Sequence, residues 1–174
     1  MHETVMDAWI GLGSNQGDRL FYLSKALWEL STVGSLRLAS SIYETKPWGV
    51  EDQPAFYNAV ICIQTPLDPL ELLARLHKIE EQAGRQREIV NGPRTLDLDL
   101  LIMGGLLMNT EILTLPHPGL LHRDFVLAPL VEIAPHLKHP LVALEMRELL
   151  PKAKIQTLNG NMLGWDGKPI KKVV

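Results

Sequence analysis

The stretch NGPRTLDLDLLIMGG, residues 91–105, alternates leucine with aspartate from Leu96 to Leu100. A period of two predicts a β-strand, because successive side chains of a strand point to opposite faces. The leucines are expected to face the core, so Asp97 and Asp99 would share the other face, with about 6.6–7 Å between their Cα atoms. Two ionised carboxylates at that spacing repel unless a cation lies between them, and all-oxygen ligation suits magnesium. The alternative is an amphipathic strand whose polar face meets water.

Further strands are predicted on the N-terminal side of this one, and together they indicate the fold. Their ranges are 5–13, 36–45 and 56–65. Glycine is expected to end the first of them. A helix with apolar residues at helical spacing follows the first strand, and Gly34 can cap its end. The order with the aspartate strand is β-α-β-β-α-β, which predicts a ferredoxin-like α/β (α+β) core.

The second helix of this core has a clear start signal. Asp68 is placed to cap it, Pro69 suits the first helical position, and Glu71 can complete a capping box. Five apolar residues are expected to form its buried stripe, and Gly84 to end it.

The sequence pattern after residue 105 predicts that further elements are added to the same core. A helix is expected over residues 123–134, and LNGNMLGW, residues 158–165, resembles a hairpin turn. No repeat, low-complexity linker or second core is visible. Residues 1–174 are therefore predicted to form a single domain. C-terminal helices and a short hairpin extension are added to its core, and residues from about 150 to 174 are a C-terminal elaboration.

Composition excludes some classes of protein. Hydrophobic residues make up 46% of the chain and the formal net charge is -3, which argues against a general nucleic-acid binder. No apolar run reaches the roughly 20 residues of a membrane span, and the N-terminal residues lack a signal-peptide core. The single cysteine, Cys62, lies in an apolar run and is expected to be a buried, unreactive thiol. A cytoplasmic location, with no membrane or nucleic-acid partner, is the expectation.

Three arginines, Arg85, Arg87 and Arg94, lie close to the aspartates on the glycine-containing loop that leads into the strand. Cations beside paired carboxylates favour phosphoryl transfer, which depends mainly on positioning and charge neutralisation. A set of surface salt bridges is the alternative.

The glycine-rich sequence GLGSNQGDR, residues 11–19, matches neither the dinucleotide fingerprint nor the Walker A loop. It leads from a strand into a helix N-terminus, where backbone N–H groups can hold an anion. A tight turn that needs glycine for its backbone angles is an equal interpretation.

Aromatic and amide side chains lie together in residues 44–60. Phe56 and Asn58 share a strand face by parity, so a flat ring could stack on Phe56 while Asn58 hydrogen-bonds its edge. Trp48 lies in a loop that could close over such a ring. An aromatic core residue with a turn asparagine is the alternative.

His117 lies between two prolines, which restrict its backbone, and Arg123 and Phe125 follow it. An imidazole and a guanidinium beside phosphates would both donate hydrogen bonds to them. A lone surface histidine in a turn is the alternative, and the other five histidines show no metal-ligand spacing.

These motifs occur together in one order that closely resembles the 6-hydroxymethyl-7,8-dihydropterin pyrophosphokinase family. The resemblance spans residues 8–136 and rests on GLGSNQGDR, ETKPWGVEDQPAFYNAV, GRQREIVNGPRTLDLDLL and LPHPGLLHRDFVLAPLVEIAP. It implies a ferredoxin-like cytosolic enzyme, usually a monomer, that moves a pyrophosphoryl group from ATP to a pterin alcohol in folate biosynthesis. It also implies two Mg²⁺ ions, with ATP as co-substrate.

The resemblance implies a role for each matching residue. Those on the phosphate side would be catalytic Arg85 and Arg94, metal-binding Asp97 and Asp99, and nucleotide-binding Glu80, Arg87, Thr114, His117 and Arg123. Those that bind the pterin would be Thr45, Trp48, Phe56, Asn58 and Phe125.

The chain departs from the family at VNGPR, where many relatives have RWGPR, so Asn91 cannot supply their tryptophan lid. The tail after about residue 150 also differs. A pterin or nucleotide sensor without turnover and a ferredoxin-like RNA-binding module are the alternative functions.

Overall fold

The computed structural model describes residues 4–84 and 92–170. The strands are β1 (Met6–Ser14), β2 (Ser35–Ala39), β3 (Ile42–Thr45), β4 (Phe56–Thr65), β5 (Asp97–Met103), β6 (Met108–Asn109), β7 (Thr114–Leu115) and β8 (Leu158–Leu163). The helices are α1 (Arg19–Leu30), α2 (Pro69–Gln82), α3 (Asp124–Ile133) and α4 (Met146–Leu149), followed by a 3₁₀ turn at Leu150–Lys152.

One antiparallel sheet organises these elements, in the strand order β5-β1-β4-β3-β8, and β2 also pairs with β4. The first strand lies between β4 and β5, as in the ferredoxin-like core that the sequence predicts. Strands β6 and β7 form a separate two-stranded ribbon. No described helix has the length and apolar character needed to cross a bilayer.

The two faces of the sheet are covered differently. Helices α1 and α2 pack on one face over a core that includes Ile10, Leu12 and Ile61. Helix α3, α4 and the 3₁₀ turn cover part of the other face, around Trp9 and Val60. Among the described residues, no helix packs over the rest of that second face, which is called the open face below because Asp97 and Asp99 of β5 are partly exposed on it.

The predicted strand over 36–45 is wrong in one respect, because it is interrupted at Ser40 and Ser41. The Ser40 hydroxyl accepts from Val60 N at 2.9 Å and so takes the place of a backbone acceptor in the ladder. The next amide, Ser41 N, turns away from β4 to the Glu132 carboxylate. Strands β2 and β3 nevertheless lie along the same edge of β4.

Glycines in β1 and after α1 have roles beyond those that the sequence predicts. Residues 11 and 13 lie within β1 and do not end it. Gly34 N donates to the carbonyl oxygen of Leu30, the last residue of α1, at 3.3 Å, as a cap does, and a Cβ at Gly34 would also lie 2.4 Å from the Gln64 carbonyl oxygen. Glycine is therefore required at Gly34 by the close approach of β4.

The predicted hairpin turn at 158–165 is also wrong. Residues 158–163 form the whole of β8, which pairs with β3, and the chain turns later, around Gly164 to Lys168. Gly160 has a φ of +84°, and the register with β3 shifts between Tyr43 and Thr45. The asparagine–glycine pair therefore forms an irregularity within the strand, with Asn159 Oδ1 accepting from Asn161 N.

The start of α2 confirms the capping prediction and gives a stability test. Asp68 accepts from Glu71 N at 2.9 Å, and Glu71 accepts from Asp68 N at 3.3 Å. Asp68→Ala should lower the free energy of unfolding by about 1 kcal/mol, because the cap bonds are lost. Urea denaturation would measure this as a lower midpoint with an unchanged slope. The comparison variant is Asp166→Ala, which removes an aspartate from a turn elsewhere in the chain. A urea midpoint for Asp68→Ala equal to that of wild type would contradict the prediction.

Candidate functional site

The paired aspartates of β5 lie on the open face of the sheet, as their spacing predicts. The alternating leucines Leu96, Leu98 and Leu100 are buried on the opposite face. Asp97 and Asp99 keep partly exposed side chains. The strand therefore presents two carboxylates from a rigid, well-packed backbone.

The electrostatics of this pair favour a bound cation. Burial, followed by the nearby Asp97 carboxylate, raises the pKa of Asp99 to about 7, against the opposing effect of Arg123. Ionised Asp99 is thus costly without a positive charge close by. Among the described residues no group of three or more His, Cys, Asp or Glu could hold a metal alone. Two carboxylates with substrate phosphates and water as the other ligands fit magnesium, which commonly binds in that way.

His117 faces the same aspartates as a neutral hydrogen-bond donor. Burial, followed by the Arg123 guanidinium, lowers the pKa of His117 to about 4. Gly119 N donates to His117 Nδ1 at 3.0 Å, so the ring proton is on Nε2. That atom lies 3.9 Å from Asp99 Oδ1, and because the ring is neutral this contact is not an ion pair. His117 can donate to an oxygen bound beside Asp99.

A cleft of about 280 Å³ opens beside the carboxylates, between α2, β5 and the β7 segment. It brings together five residues that the sequence resemblance selects: Glu80, Asp97, Asp99, Thr114 and His117. Apolar walls come from both sides, with Leu73 on α2 and Ile112 before β7. The cleft therefore combines an acidic floor with apolar sides.

Two features of this cleft were missed from the sequence. His77 lines it one helical turn before Glu80, a spacing that placed both on the same face of α2. Glu80 itself is buried, and its Oε2 accepts from Leu98 N at 3.0 Å, so it also fixes α2 against β5. The i,i+3 relation to Glu80 was the available signal for His77.

A second group of predicted residues lies across the sheet on β3 and β4. Asn58 Nδ2 donates to Thr45 Oγ1 at 2.7 Å, and both side chains are buried. Phe56 lies two residues before Asn58 on the same strand. The Arg94 guanidinium carbon is 4.9 Å from the Phe56 ring centroid, and Arg94 Nε is 3.5 Å from Asp97 Oδ2. Arg94 thus connects the aromatic group with the carboxylates.

Glycine in β1 makes room for the side chains of these two groups. Gly13 pairs with Asn58 on one side and with Asp97 on the other. A Cβ at Gly13 would lie 2.7 Å from Asn58 Oδ1, and one at Gly11 would lie 3.9 Å from the Asp99 Cβ. The glycine-rich sequence therefore contributes a flat floor to the site, which neither interpretation of its motif anticipated.

Aromatic side chains from the loop after β3 and from α3 meet at the edge of this second group. The rings of Trp48 and Phe125 contact edge to face, with centroids 6.0 Å apart. The guanidinium carbon of Arg123 lies 5.9 Å from the Phe125 centroid. The structure therefore brings Trp48 and Phe125 into contact, two residues that the resemblance assigns separately to pterin binding.

Asn15 is a further residue that the sequence did not select. Its buried amide donates to Gln53 Oε1 and Pro54 O, both at 2.9 Å, and its Oδ1 accepts from Arg94 N at 2.9 Å. Asn15 thereby joins the end of β1 to both loops that border the site. Its partners are 38 to 79 residues away in sequence, so no local pattern could have identified it.

Three residues named from the sequence, Arg85, Arg87 and Asn91, lie outside the described residues. Their proposed roles, and the missing tryptophan lid, stay predictions.

The sequence of this chain also matches a known protein family. The family model described as 7,8-dihydro-6-hydroxymethylpterin-pyrophosphokinase (HPPK) matches residues 9–135. The chain belongs to the HPPK family. The matched range includes both carboxylates, the cleft and the aromatic pair, and it ends before β8.

Relatives in the HPPK family match over most of this chain. The 2-amino-4-hydroxy-6-hydroxymethyldihydropteridine pyrophosphokinase of Aquifex aeolicus is 40% identical over 83% of this chain and 90% of its own length. The protein of the same name in Bacillus subtilis is 45% identical over 79% of this chain and 84% of its own length.

A solved structure shows the same HPPK fold. Wild-type Plasmodium falciparum HPPK-DHPS with pteroate superposes with a TM-score of 0.70 over 87% of this chain, at 18% identity. The present chain spans 43% of that longer protein. The likeness confirms the ferredoxin-like expectation for the fold.

Proposed function

We propose that this protein transfers the pyrophosphoryl group of ATP to the hydroxymethyl group of 6-hydroxymethyl-7,8-dihydropterin, giving the pterin diphosphate and AMP for folate biosynthesis. The observation that carries the proposal is one sheet face on which a carboxylate cleft lies beside a group of aromatic and amide side chains. A polyphosphate with its metal suits the first, and a flat heteroaromatic ring suits the second. Membership of the HPPK family supports the same pair of substrates.

The phosphate half of the site would bind ATP with magnesium. Asp97 and Asp99 would hold two Mg²⁺ ions, which supply charge neutralisation and acidify the attacking hydroxyl when bound. His117 donates through Nε2 to a phosphate oxygen, and Arg123 adds positive charge beside it. Glu80 and Thr114 line the cleft at the nucleoside end.

The pterin half would hold the acceptor alcohol. Phe56 and Phe125 provide faces for the ring, Asn58 reads its polar edge, and Thr45 fixes the Asn58 amide. Trp48 covers the edge of Phe125.

The transfer itself is an in-line displacement. The hydroxymethyl oxygen forms a bond to the β-phosphorus, the bond from that phosphorus to the oxygen bridging it to the α-phosphorus breaks, and the hydroxyl proton passes to water. AMP leaves with the bridging oxygen. Arg94, already 3.5 Å from Asp97, is placed to neutralise charge on the transferred group, and we assign Arg85 and Arg87 to the same phosphates.

The remaining assignments follow from the same proposal. We propose that residues 1–174 act as a single pyrophosphokinase domain, as a monomer in the cytoplasm. Continuity of β8 with the sheet that carries the site supports the single domain.

An assay of AMP formation tests the function. Purified protein with ATP, Mg²⁺ and 6-hydroxymethyl-7,8-dihydropterin should release AMP in proportion to pterin diphosphate. The 6-methyl analogue, which lacks the attacking hydroxyl, should give none. A folded protein that binds both substrates without forming AMP would be a sensor, and the proposal would then be withdrawn.

A further inference from the structure

A buried carboxylate outside the substrate groups connects the C-terminal tail to the pterin half of the site. Asp124, the first residue of α3, has no solvent exposure. Its Oδ2 accepts from Gln156 N and Thr157 N, both at 2.8 Å, and from Leu158 N at 3.3 Å. Its Oδ1 accepts from Thr157 Oγ at 2.6 Å. Four donors from three consecutive residues thus surround this one carboxylate.

This arrangement is stronger than an ordinary surface contact. Burying a carboxylate is costly unless hydrogen bonds replace its water, and bonds to a charged group are stronger than neutral ones. Asp124 also lies at the N-terminus of α3, where the helix dipole favours negative charge. Residues 156–158 are therefore fixed tightly to the start of α3.

The same tail segment continues into the other wall of the pterin half. Thr157 O accepts from Lys46 N at 2.8 Å, and Leu158 pairs with Thr45. Thr45 in turn accepts from Asn58. A continuous set of hydrogen bonds therefore runs from Asp124 through Thr157 to the segment that carries Trp48.

The positions of these residues decide what the connection does. Asp124 lies between Arg123 and Phe125 at the start of α3, whereas Lys46 lies between Thr45, the last residue of β3, and Trp48 in the loop that follows. Thr157 bonds to both sides. The hydrogen bonds that join Thr157 to Asp124 and to Lys46 therefore set the separation between Phe125 on α3 and the sheet.

We propose that Asp124 and Thr157 are positioning residues for the pterin, and that the tail through β8 is a part of the substrate site although it lies beyond the family match at 9–135. The proposal rests on the proposed function. The tail holds the β3 loop and the start of α3 at the separation that a flat ring requires. Apart from Arg123, the residues assigned to ATP lie on α2, β5 and the segment from Thr114 to His117, so loss of this connection should affect ATP binding less than pterin binding.

The test compares Thr157→Val with Thr157→Ser. Valine keeps the shape and the backbone bonds but removes the hydroxyl that donates to Asp124, whereas serine restores it. Asp124→Ala removes all four bonds and risks unfolding, so the threonine pair is the primary test. Thr157→Val should raise the KM for the pterin about tenfold to a hundredfold, the effect of one hydrogen bond to a charged group. The KM for ATP should change less than twofold, and Thr157→Ser should return the pterin value close to wild type.

Glu132→Gln is the matched control. Glu132 is also a carboxylate of α3 that binds the β3 side, since it accepts from Ser41 N, Ser41 Oγ and Tyr43 OH, but it lies at the other end of the helix. It should lower thermal stability without changing the KM for the pterin. An equal effect of Glu132→Gln and Thr157→Val on that KM, or a parallel rise of both substrate constants, would overturn the proposal.

A measurement without substrates separates this proposal from the function. Hydrogen–deuterium exchange of the free protein should show faster exchange of the Lys46 amide in Thr157→Val than in wild type or Glu132→Gln. If wild type forms no AMP but this exchange difference is present, the proposed function fails and the connection stands. If AMP forms and Lys46 exchanges at the same rate in all three, the positioning role fails alone.

Discussion

Asp97→Asn and Asp99→Asn should each lower kcat by about a thousandfold, since a metal at transferring phosphates contributes several kcal/mol to the transition state. Asparagine keeps the size of the side chain and one oxygen but lacks the charge that attracts a divalent cation. The fold should not suffer, because both side chains lie on the open face while Leu98, between them, is buried. Relief of the repulsion between the two carboxylates should leave the melting temperature without metal equal to that of wild type or higher.

Steady-state AMP assays across a magnesium titration would measure this loss, together with thermal unfolding in EDTA. Chelation of the metal should abolish wild-type turnover and leave its fold intact. Asp7→Asn, an exposed carboxylate on the adjacent strand β1, is the matched control and should retain full activity. Near-normal turnover in both Asp97→Asn and Asp99→Asn would remove the metal role from this pair.

Gly13→Ala should raise the KM for the pterin by about tenfold to a hundredfold, because it displaces the Asn58 amide. The added Cβ would lie 2.7 Å from Asn58 Oδ1, which is closer than real Cβ contacts allow. Asn58 would have to rotate, and its 2.7 Å bond to Thr45 Oγ1 would break. Loss of a buried hydrogen bond with its partner left unsatisfied costs about 1–3 kcal/mol, which corresponds to the expected change in binding.

Gly105→Ala is the control for this glycine, since a Cβ there meets nothing within 4 Å. It should leave both Michaelis constants and the melting temperature unchanged. Calorimetric titration with the pterin would show whether Gly13→Ala acts on binding or on turnover. Unaltered pterin affinity in a folded Gly13→Ala protein would mean that Asn58 does not read the ring edge.

Local patterns were sufficient for much of this structure. The period of two in residues 96–100 placed two aspartates on one face and the leucines on the other, because side-chain alternation is a property of every strand. The Asp68, Pro69 and Glu71 signal located the start of α2 because capping involves only neighbouring residues. Both predictions depend on contacts between residues at most four positions apart.

The remaining features depend on distant contacts that no short pattern records. The sequence around Gly13 is typical of a turn. Only the pairing of Gly13 with β4 and β5 shows that glycine is needed there to leave space for the side chains of the neighbouring strands. Asp124 has the sequence position of an ordinary acidic residue in the first turn of a helix. Its hydrogen-bond donors, however, lie 32 to 34 residues away in sequence. The asparagine–glycine pair at Asn159 and Gly160 favours a hairpin locally, and pairing with β3 overrides that preference.

The pairing of Gly13 with both Asp97 and Asn58 has a consequence for the choice of substrate. Those two side chains lie in one line across three neighbouring strands, so two strand spacings, about 9.5 Å, separate their backbones. Backbone hydrogen bonds hold this length, and loop movements do not alter it. The sheet should therefore select alcohols by reach: a hydroxyl on a longer or shorter arm, attached to the same ring, would miss the phosphorus even when the ring is bound correctly.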